Sequence, residues 1–320
     1  MSPAAIPPAA RAVLSGDRLA LARLISAVEN HDPAVIPALR ALYTKTGRAR
    51  IVGITGPLGV GKSSLINRLL RLLRERGKKV GIVAVDPSSP FSGGSVLGDR
   101  IRIERKAGDE DVFVRSMASR GHTGGVAAAT REVSRLLDAF GMDVVLVETV
   151  GSGQVDVEIR DVASTSVVVL VPHLGDEVQS LKAGLFEIAD VFCINKADLP
   201  GADLAAKDLG EMVGLAGGTG GWRPAVVATS TPDGSGVDHL WDAIEAHEAY
   251  LDREHLREPA ERRRLQHEIV GMVGERLDRE LRVAVESDPE LKELLDEVVA
   301  RRTDPYAAAE RLYHDVRRRP

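Results

Sequence analysis

The chain has 320 residues, 44% of them hydrophobic and 3% aromatic, with 42 Lys and Arg against 47 Asp and Glu and a formal net charge of −5. This length holds either one large domain of about 200 residues with additions or two domains, and the acidic balance argues against a nucleic-acid partner, which needs a basic face. The single cysteine, Cys193, rules out an intrachain disulfide framework and any CxxC metal site.

The first residues, Met1 to Pro8, lack a charged segment followed by an apolar one, and no apolar run approaches the ~20 residues that span a bilayer. The expectation is a cytoplasmic protein with no membrane partner. Residues 1–46 read as an N-terminal helical extension: Ala10, Val13, Leu14, Leu21, Leu24, Ile25 and Val28, then Val35, Ile36, Leu39 and Leu42, recur at helical spacing on either side of Asp32-Pro33. From 47 to 250 strand and helix patterns alternate, with strand candidates at 51–55, 80–85, 111–115, 143–148, 166–171, 191–195 and 225–229. Several are near-continuous apolar runs, such as Val144-Val145-Leu146-Val147. That pattern predicts an α/β, doubly wound and mostly parallel sheet covered on both faces. The stretch from Gly214 to Gly221 reads as a flexible loop. Residues 251–320 are highly charged, with Leu265, Ile269, Met272, Val273, Leu277 and Leu281 at helical spacing. They predict a C-terminal helical appendage whose apolar stripe must bury itself on the sheet domain or on another subunit. The Arg262–Arg264 and Arg317–Arg319 runs read as solvated helix positions.

Between the first strand pattern and an amphipathic helix pattern lies Gly56-Pro57-Leu58-Gly59-Val60-Gly61-Lys62-Ser63, a complete G-x-x-x-x-G-K-[ST] phosphate loop continued by Ser64. Glycines let backbone N–H groups wrap phosphate oxygens, and a helix starting near Lys62 turns its positive dipole end toward the same charge. In this arrangement Lys62 reaches the β- and γ-phosphates and the Ser63 hydroxyl ligates Mg2+.

The base is read downstream, where the strand 191–194 runs into Asn195-Lys196-Ala197-Asp198, an N-K-x-D pattern. The Asp198 carboxylate accepts hydrogen bonds from guanine N1–H and the exocyclic amino group, whereas adenine offers neither donor there. Asn195 braces the loop and the Lys196 stem lies across the purine. Ser230 and Thr231 follow the last strand where a backbone loop meets guanine O6. The expected nucleotides are GTP and GDP.

A triphosphate needs a metal. The strand 80–85 ends at Asp86, Asp99 lies in the loop beyond it, and the strand 143–147 ends at Glu148. Ligands of doubly wound sheets bind at the carboxyl ends of the strands, so these three carboxylates are candidates for Mg2+, directly or through water.

Together, Gly56 to Ser63, Val85 to Pro90, Gly93 to Arg100, Glu148 to Gln154 and Asn195 to Asp198 resemble the MeaB/ArgK group of SIMIBI-class GTPases, over about residues 10 to 300. The resemblance implies a chaperone that gates cofactor delivery to an adenosylcobalamin-dependent acyl-CoA mutase and protects it, and a dimer made by the helical appendage. It also implies that Lys62, Asp99, Glu148, Gln154 and Lys182 serve hydrolysis and the switch loops, with His173 to Lys182 as a third switch. Ser152 and Val155 stand where the family usually has Val and Ser, and His173-Leu174 replace small residues, so the client can be methylmalonyl-CoA mutase or a relative. The alternatives are a metallochaperone GTPase for a nickel enzyme and a transport-system nucleotide-dependent kinase. No glutamine directly follows the Gly151 glycine, although Gln154 is near, so slow intrinsic turnover accelerated by a partner is expected.

Overall fold

The computed structural model describes residues 6–86, 109–118, 125–149, 151, 154–172, 185–216 and 221–318. The chain opens with helices α1 (Pro8–Leu14), α2 (Arg18–Glu29) and α3 (Ile36–Tyr43), the last preceded by a 3-10 turn at Pro33–Val35. Each start has a local cause. Pro8 sits in the first turn of α1, where its missing N–H costs nothing. The Asp17 carboxylate accepts from the Leu19 and Ala20 amides at the head of α2, and Asp32 caps the 3-10 turn through the Ala34 amide.

Strand β1 (Arg50–Thr55) then leads into α4 (Lys62–Glu75), followed by β2 (Val80–Asp86), β3 (Val112–Ala118), α5 (Gly125–Phe140), β4 (Val144–Glu148), α6 (Gln154–Val162) and β5 (Thr165–Leu170). Next come α7 (Leu185–Ile188), β6 (Val191–Ile194), α8 (Ala202–Ala216), β7 (Ala225–Ala228) and α9 (Val237–Arg253). All seven strand candidates are strands. The glycine-rich stretch departs from expectation: Gly214 to Ala216 are the last turn of α8, whose buried Leu209 and Val213 carry the helical pattern onward, while residues 217–220 lie outside the described set.

Among the described residues the strands form one sheet in the order β3-β2-β4-β1-β5-β6-β7, with every pairing parallel. The connection from β1 skips to β2 on one side, and the connection from β4 returns to β5 on the other. The order therefore reverses at β1, and the crevice at its carboxyl end is the place where doubly wound sheets bind ligands.

Two apolar layers cover the sheet. One gathers Val83, Val145, Val147, Val168 and Phe192 with Leu136 of α5, Ile159 of α6 and Leu21 and Ile25 of α2. The other gathers Val52, Ile54, Ile82, Leu146 and Val169 with Leu65, Ile66, Leu69 and Leu73 of α4 and Leu240, Trp241 and Ile244 of α9. Each such side chain contributes about 1.5–3 kcal/mol on burial. Alternation along the strands dictates the split, since neighbouring residues face opposite layers. A side chain at Gly53 would come within 2.3 Å of Ile159, so glycine there lets α6 lie close to β1.

The N-terminal helices belong to the first layer. Arg18 of α2 donates to the carbonyls of Glu110 and Val112, and Arg115 of β3 reaches Glu29 and Ser26 of α2. The two Arg18 bonds occupy a carbonyl just before edge strand β3 and the carbonyl of its first residue. The buried Asp138 carboxylate accepts from the Gly47 and Ala49 amides at 2.5 and 2.9 Å, which fixes the passage from α3 into β1.

The chain divides into two compact units, Met1–Arg257 and Glu258–Pro320. Past α9 come α10 (Arg257–Ser287), α11 (Pro289–Val299) and α12 (Pro305–Arg318). Along α10, Arg276 pairs with Glu280 and Arg282 with Asp278 one turn apart, while Ile269, Val270, Met272, Val273 and Leu277 are exposed. In α11, Leu291 and Leu294 are buried.

Candidate nucleotide site

The loop between β1 and α4 crosses the carboxyl end of the sheet. Gly56, Gly59 and Gly61 have φ of +137°, +80° and +94°, values that side chains of L-residues rarely allow. Space is equally short: a Cβ at Gly56 would lie 2.1 Å from the Val169 carbonyl oxygen, and one at Gly61 would lie 2.5 Å from Asn195 Nδ2. Gly61 caps α4, so the helix begins at Lys62 and its first amides face the loop.

Lys62 is 6% exposed, and its Nζ donates to the carbonyls of Gly56 at 2.6 Å and Pro57 at 2.8 Å. The ammonium is thus curled into the loop. Gly151, beyond β4, passes so close that a Cβ there would lie 2.3 Å from Gly56 O and 2.9 Å from Lys62 Nζ. Ser63 donates from its hydroxyl to Glu148 Oε1 at 2.6 Å, and Glu148 is buried at the end of β4. Thr149 Oγ1 donates to Thr55 Oγ1 at 2.8 Å, joining the ends of β4 and β1 beneath the loop.

The Asn195-Lys196-Ala197-Asp198 turn meets the same loop from the other side. Asn195 is fully buried; its Nδ2 donates to the Val60 carbonyl at 2.8 Å and its Oδ1 accepts from Thr229 Oγ1 at 3.1 Å. Lys196, at φ +59°, donates from Nζ to the Gly59 carbonyl at 2.9 Å. The Ala197 amide bonds to the Thr229 carbonyl, which brings Ser230 and Thr231 beside the turn. Asp198 is exposed at its edge.

Cys193 Sγ lies 3.1 Å from Thr229 Oγ1. Thr229 has one hydroxyl proton and spends it on Asn195, so the thiol is the donor of this pair. Burial pushes the Cys193 pKa up to about 12, against a smaller opposing effect of Thr229, which keeps the thiol protonated for that role.

The structure therefore brings together Gly56 to Ser63, Glu148, Asn195 and Lys196. Asp86 ends β2, but its side chain is not among the described ones, and the same holds for Gln154 at the start of α6. Asp99, the Ser152 substitution and the stretch from His173 to Lys182 lie outside the described residues. Thr55, Thr229 and Arg68 escaped the sequence reading. Thr149 and Gly151 stood within the Glu148 to Gln154 motif, but their contacts with Thr55 and with the glycine loop had no local signal.

The donor chemistry fits a metal–triphosphate. A hydroxyl and a carboxylate already within 2.6 Å of one another are hard oxygen ligands of the kind Mg2+ takes. Beside them stand a cationic side chain, a glycine loop in which neither Gly56 nor Gly61 has room for a Cβ, and a helix N-terminus. A parallel sheet with this loop at its switch point and an N-K-x-D turn against the loop defines a P-loop GTPase.

The sequence model described as "Methylmalonyl Co-A mutase-associated GTPase MeaB" matches residues 21–286, and the chain belongs to that family. A putative GTPase of Pyrococcus abyssi is 45% identical over 304 residues, 94% of each chain. The GTPase ArgK of Escherichia coli is 36% identical over 242 residues, 73% of each chain. The mitochondrial methylmalonic aciduria type A homolog of Mus musculus is 36% identical over 197 residues, 60% of this chain and 48% of that one. Among solved structures, one described as a LAO/AO transport system kinase superposes with a TM-score of 0.72 at 25% identity, covering 97% of this chain and 96% of that one. Among the described residues no helix is long and apolar enough to cross a membrane.

Proposed function

We propose that this GTPase hydrolyses GTP with Mg2+ and acts as a chaperone that gates cofactor loading of an adenosylcobalamin-dependent acyl-CoA mutase. The observation that carries the chemistry is the 2.6 Å contact of Ser63 with Glu148 beside the Lys62 ammonium. The family's own description as mutase-associated supports the client.

In this reading GTP lies along the loop from Gly56 to Ser64. The Lys62 ammonium exchanges its bonds to Gly56 and Pro57 for β- and γ-phosphate oxygens, and the first amides of α4 add donors at the same charge. Ser63 and Glu148 hold the metal, with Asp86 and Asp99 as further carboxylates. Bound Mg2+ would supply positive charge at the phosphates, offsetting the charge that develops as water attacks the γ-phosphorus in line. Gln154 and Lys182 serve the switch segments that a partner orders. Asn195 and Lys196 brace the base site, Asp198 reads guanine N1–H and the amino group, and the turn at Ser230 and Thr231 faces O6. The protein works in the cytoplasm as a homodimer through α10.

The test mixes the purified chain with a cobalamin-dependent acyl-CoA mutase and measures GTPase rate and cobalamin transfer with GTP, GDP and a non-hydrolysable analogue. Stimulated hydrolysis and nucleotide-dependent loading are expected. No stimulation and no nucleotide dependence would remove the mutase as client. Phosphate transfer from GTP to a protein acceptor would favour the kinase named for the solved relative, and nickel-dependent GTPase activity would favour the metallochaperone.

A further inference from the structure

Arg68 lies on α4, on the turn after Leu65 and Ile66, and is half-buried. Its Nε donates to the Thr231 carbonyl at 2.6 Å and its Nη2 donates to the Pro232 carbonyl. The guanidinium also packs against Gly234, where a Cβ would approach Nη1 to 3.4 Å. The contact spans 163 residues of sequence.

The loop it grips is the one that follows β7. Beyond Thr229, the backbone bonds of the loop close on themselves: Ser230 N to Ser235 O at 2.9 Å and Gly234 N to Ser230 O at 2.8 Å. The Asp233 carboxylate accepts from the Ser235 amide and hydroxyl. Pro232 has no N–H, so this segment cannot zip onto a neighbouring strand, and two successive carbonyls need donors from elsewhere. A planar guanidinium supplies both from one side chain, with a fixed angle between them. Those carbonyls are thereby turned toward α4, and the orientation of the peptide planes after Ser230 is set from the helix that starts at the phosphate loop.

We propose that Arg68 is a positioning residue for guanine recognition: by holding the Thr231 and Pro232 carbonyls it fixes the Ser230–Thr231 turn at the O6 edge of the base and ties that turn to the helix that carries Lys62 and Ser63. This rests on the guanine reading given above. Asn195 and Lys196 tie the N-K-x-D turn to the phosphate loop, and Arg68 ties the second base loop to α4, the helix that follows that loop. Phosphate and base subsites are then built on one rigid support.

The test uses the full chain with Mg2+ and calorimetric binding of GDP, 6-thio-GDP, IDP and ADP to wild type, Arg68→Ala and Arg68→Lys, with thermal melts alongside. 6-Thio-GDP changes only the atom at position 6, and IDP lacks only the amino group. Arg68→Ala is expected to weaken GDP about tenfold, the loss of roughly one charge-assisted bond. It should narrow the preference for GDP over 6-thio-GDP and leave the ratio of GDP to IDP unchanged, because Asp198 reads the amino group. Arg68→Lys should recover part of the loss. Wild-type GDP affinity in Arg68→Ala, or an equal loss for GDP and 6-thio-GDP, overturns the role. Wild type binding ADP as tightly as GDP instead overturns the guanine reading itself, and this proposal with it.

Discussion

Ser63, the first serine of α4, and Glu148, the last residue of β4, meet at 2.6 Å although 85 residues separate them. Parallel pairing makes this contact: β1 and β4 run side by side in register from Arg50↔Val144 to Ile54↔Glu148, so the loop leaving β1 passes over the end of β4. If the pair holds Mg2+, Glu148→Gln should raise the Mg2+ concentration for half-maximal GTPase by about tenfold or more while changing GDP affinity less. Lys62→Ala should abolish hydrolysis. Steady-state turnover against Mg2+ concentration checks both, and a wild-type curve for Glu148→Gln assigns that residue to structure alone.

Base choice is tested at Asp198. Asp198→Asn keeps the size and removes the carboxylate acceptor, so guanine binding should fall by about tenfold or more. Xanthine nucleotides should gain, since xanthine presents an acceptor where guanine presents its amino donor. Competition of GDP with XDP reads the exchange directly.

Thr229→Val removes a hydroxyl at nearly constant volume. It leaves the buried Asn195 Oδ1 and the Cys193 thiol without the partner they share. Stability should drop by about 1–3 kcal/mol in urea unfolding, with weaker GDP binding because Asn195 no longer holds the Val60 carbonyl squarely. Unchanged stability would show that the relay has no energetic weight.

At the opposite end of the sheet, Glu248 is 1% exposed; it accepts from Ser164 at 2.5 Å and Thr165 at 2.7 Å and forms an ion pair with Arg257 at 2.7 Å. Burial pushes its carboxyl up, but the two hydroxyls and the Arg257 charge together outweigh burial and hold it below its ordinary value. A carboxyl depressed in the folded state stabilises above its unfolded pKa and loses that contribution as pH falls through the folded value. Acid unfolding should therefore draw on Glu248 below about pH 4.3, and Glu248→Gln should flatten the fall of urea midpoint between pH 5 and 3 (about that window). Arg257→Ala, which leaves the buried carboxylate without its cation, should cost about 2 kcal/mol at neutral pH, less than a fully buried pair because Arg257 is itself partly exposed.

The apolar stripe of Ile269, Met272, Val273 and Leu277 is exposed on α10. If it makes the dimer, a chain ending at Arg257 should be a folded, GDP-binding monomer and the full chain a dimer by light scattering. Ending at Arg257 keeps the partner of Glu248, which a cut at Tyr250 would remove along with the end of α9. A full chain that is monomeric at micromolar concentration refutes the dimer.

Much of this protein could be read without coordinates because the signals are local. Each strand announced itself by a short apolar run, α4 by leucines at helical spacing, the phosphate loop by glycines whose φ values only glycine tolerates, and the base turn by four consecutive residues. The glycine-rich stretch misled because composition favours a loop there, whereas burying Leu209 and Val213 on the sheet outweighs the cost of about 1 kcal/mol for Gly214 within α8.

What the sequence determined by itself was the parallel α/β class, the glycine loop with Lys62 and Ser63, and the N-K-x-D turn, because each depends on residues that are neighbours in the chain. Tertiary structure alone decided that Ser63 meets Glu148, that Asn195 and Lys196 grip the carbonyls of Val60 and Gly59, that Thr229 orients Asn195, and that Arg68 holds Thr231. Those pairings are fixed by strand order, which places β4 and β5 on either side of β1 and carries residues far apart in sequence to one end of the sheet. An arginine or threonine in isolation carries no mark of its partner, since hydrogen-bond geometry exists only once the packing of both apolar layers has set the distances.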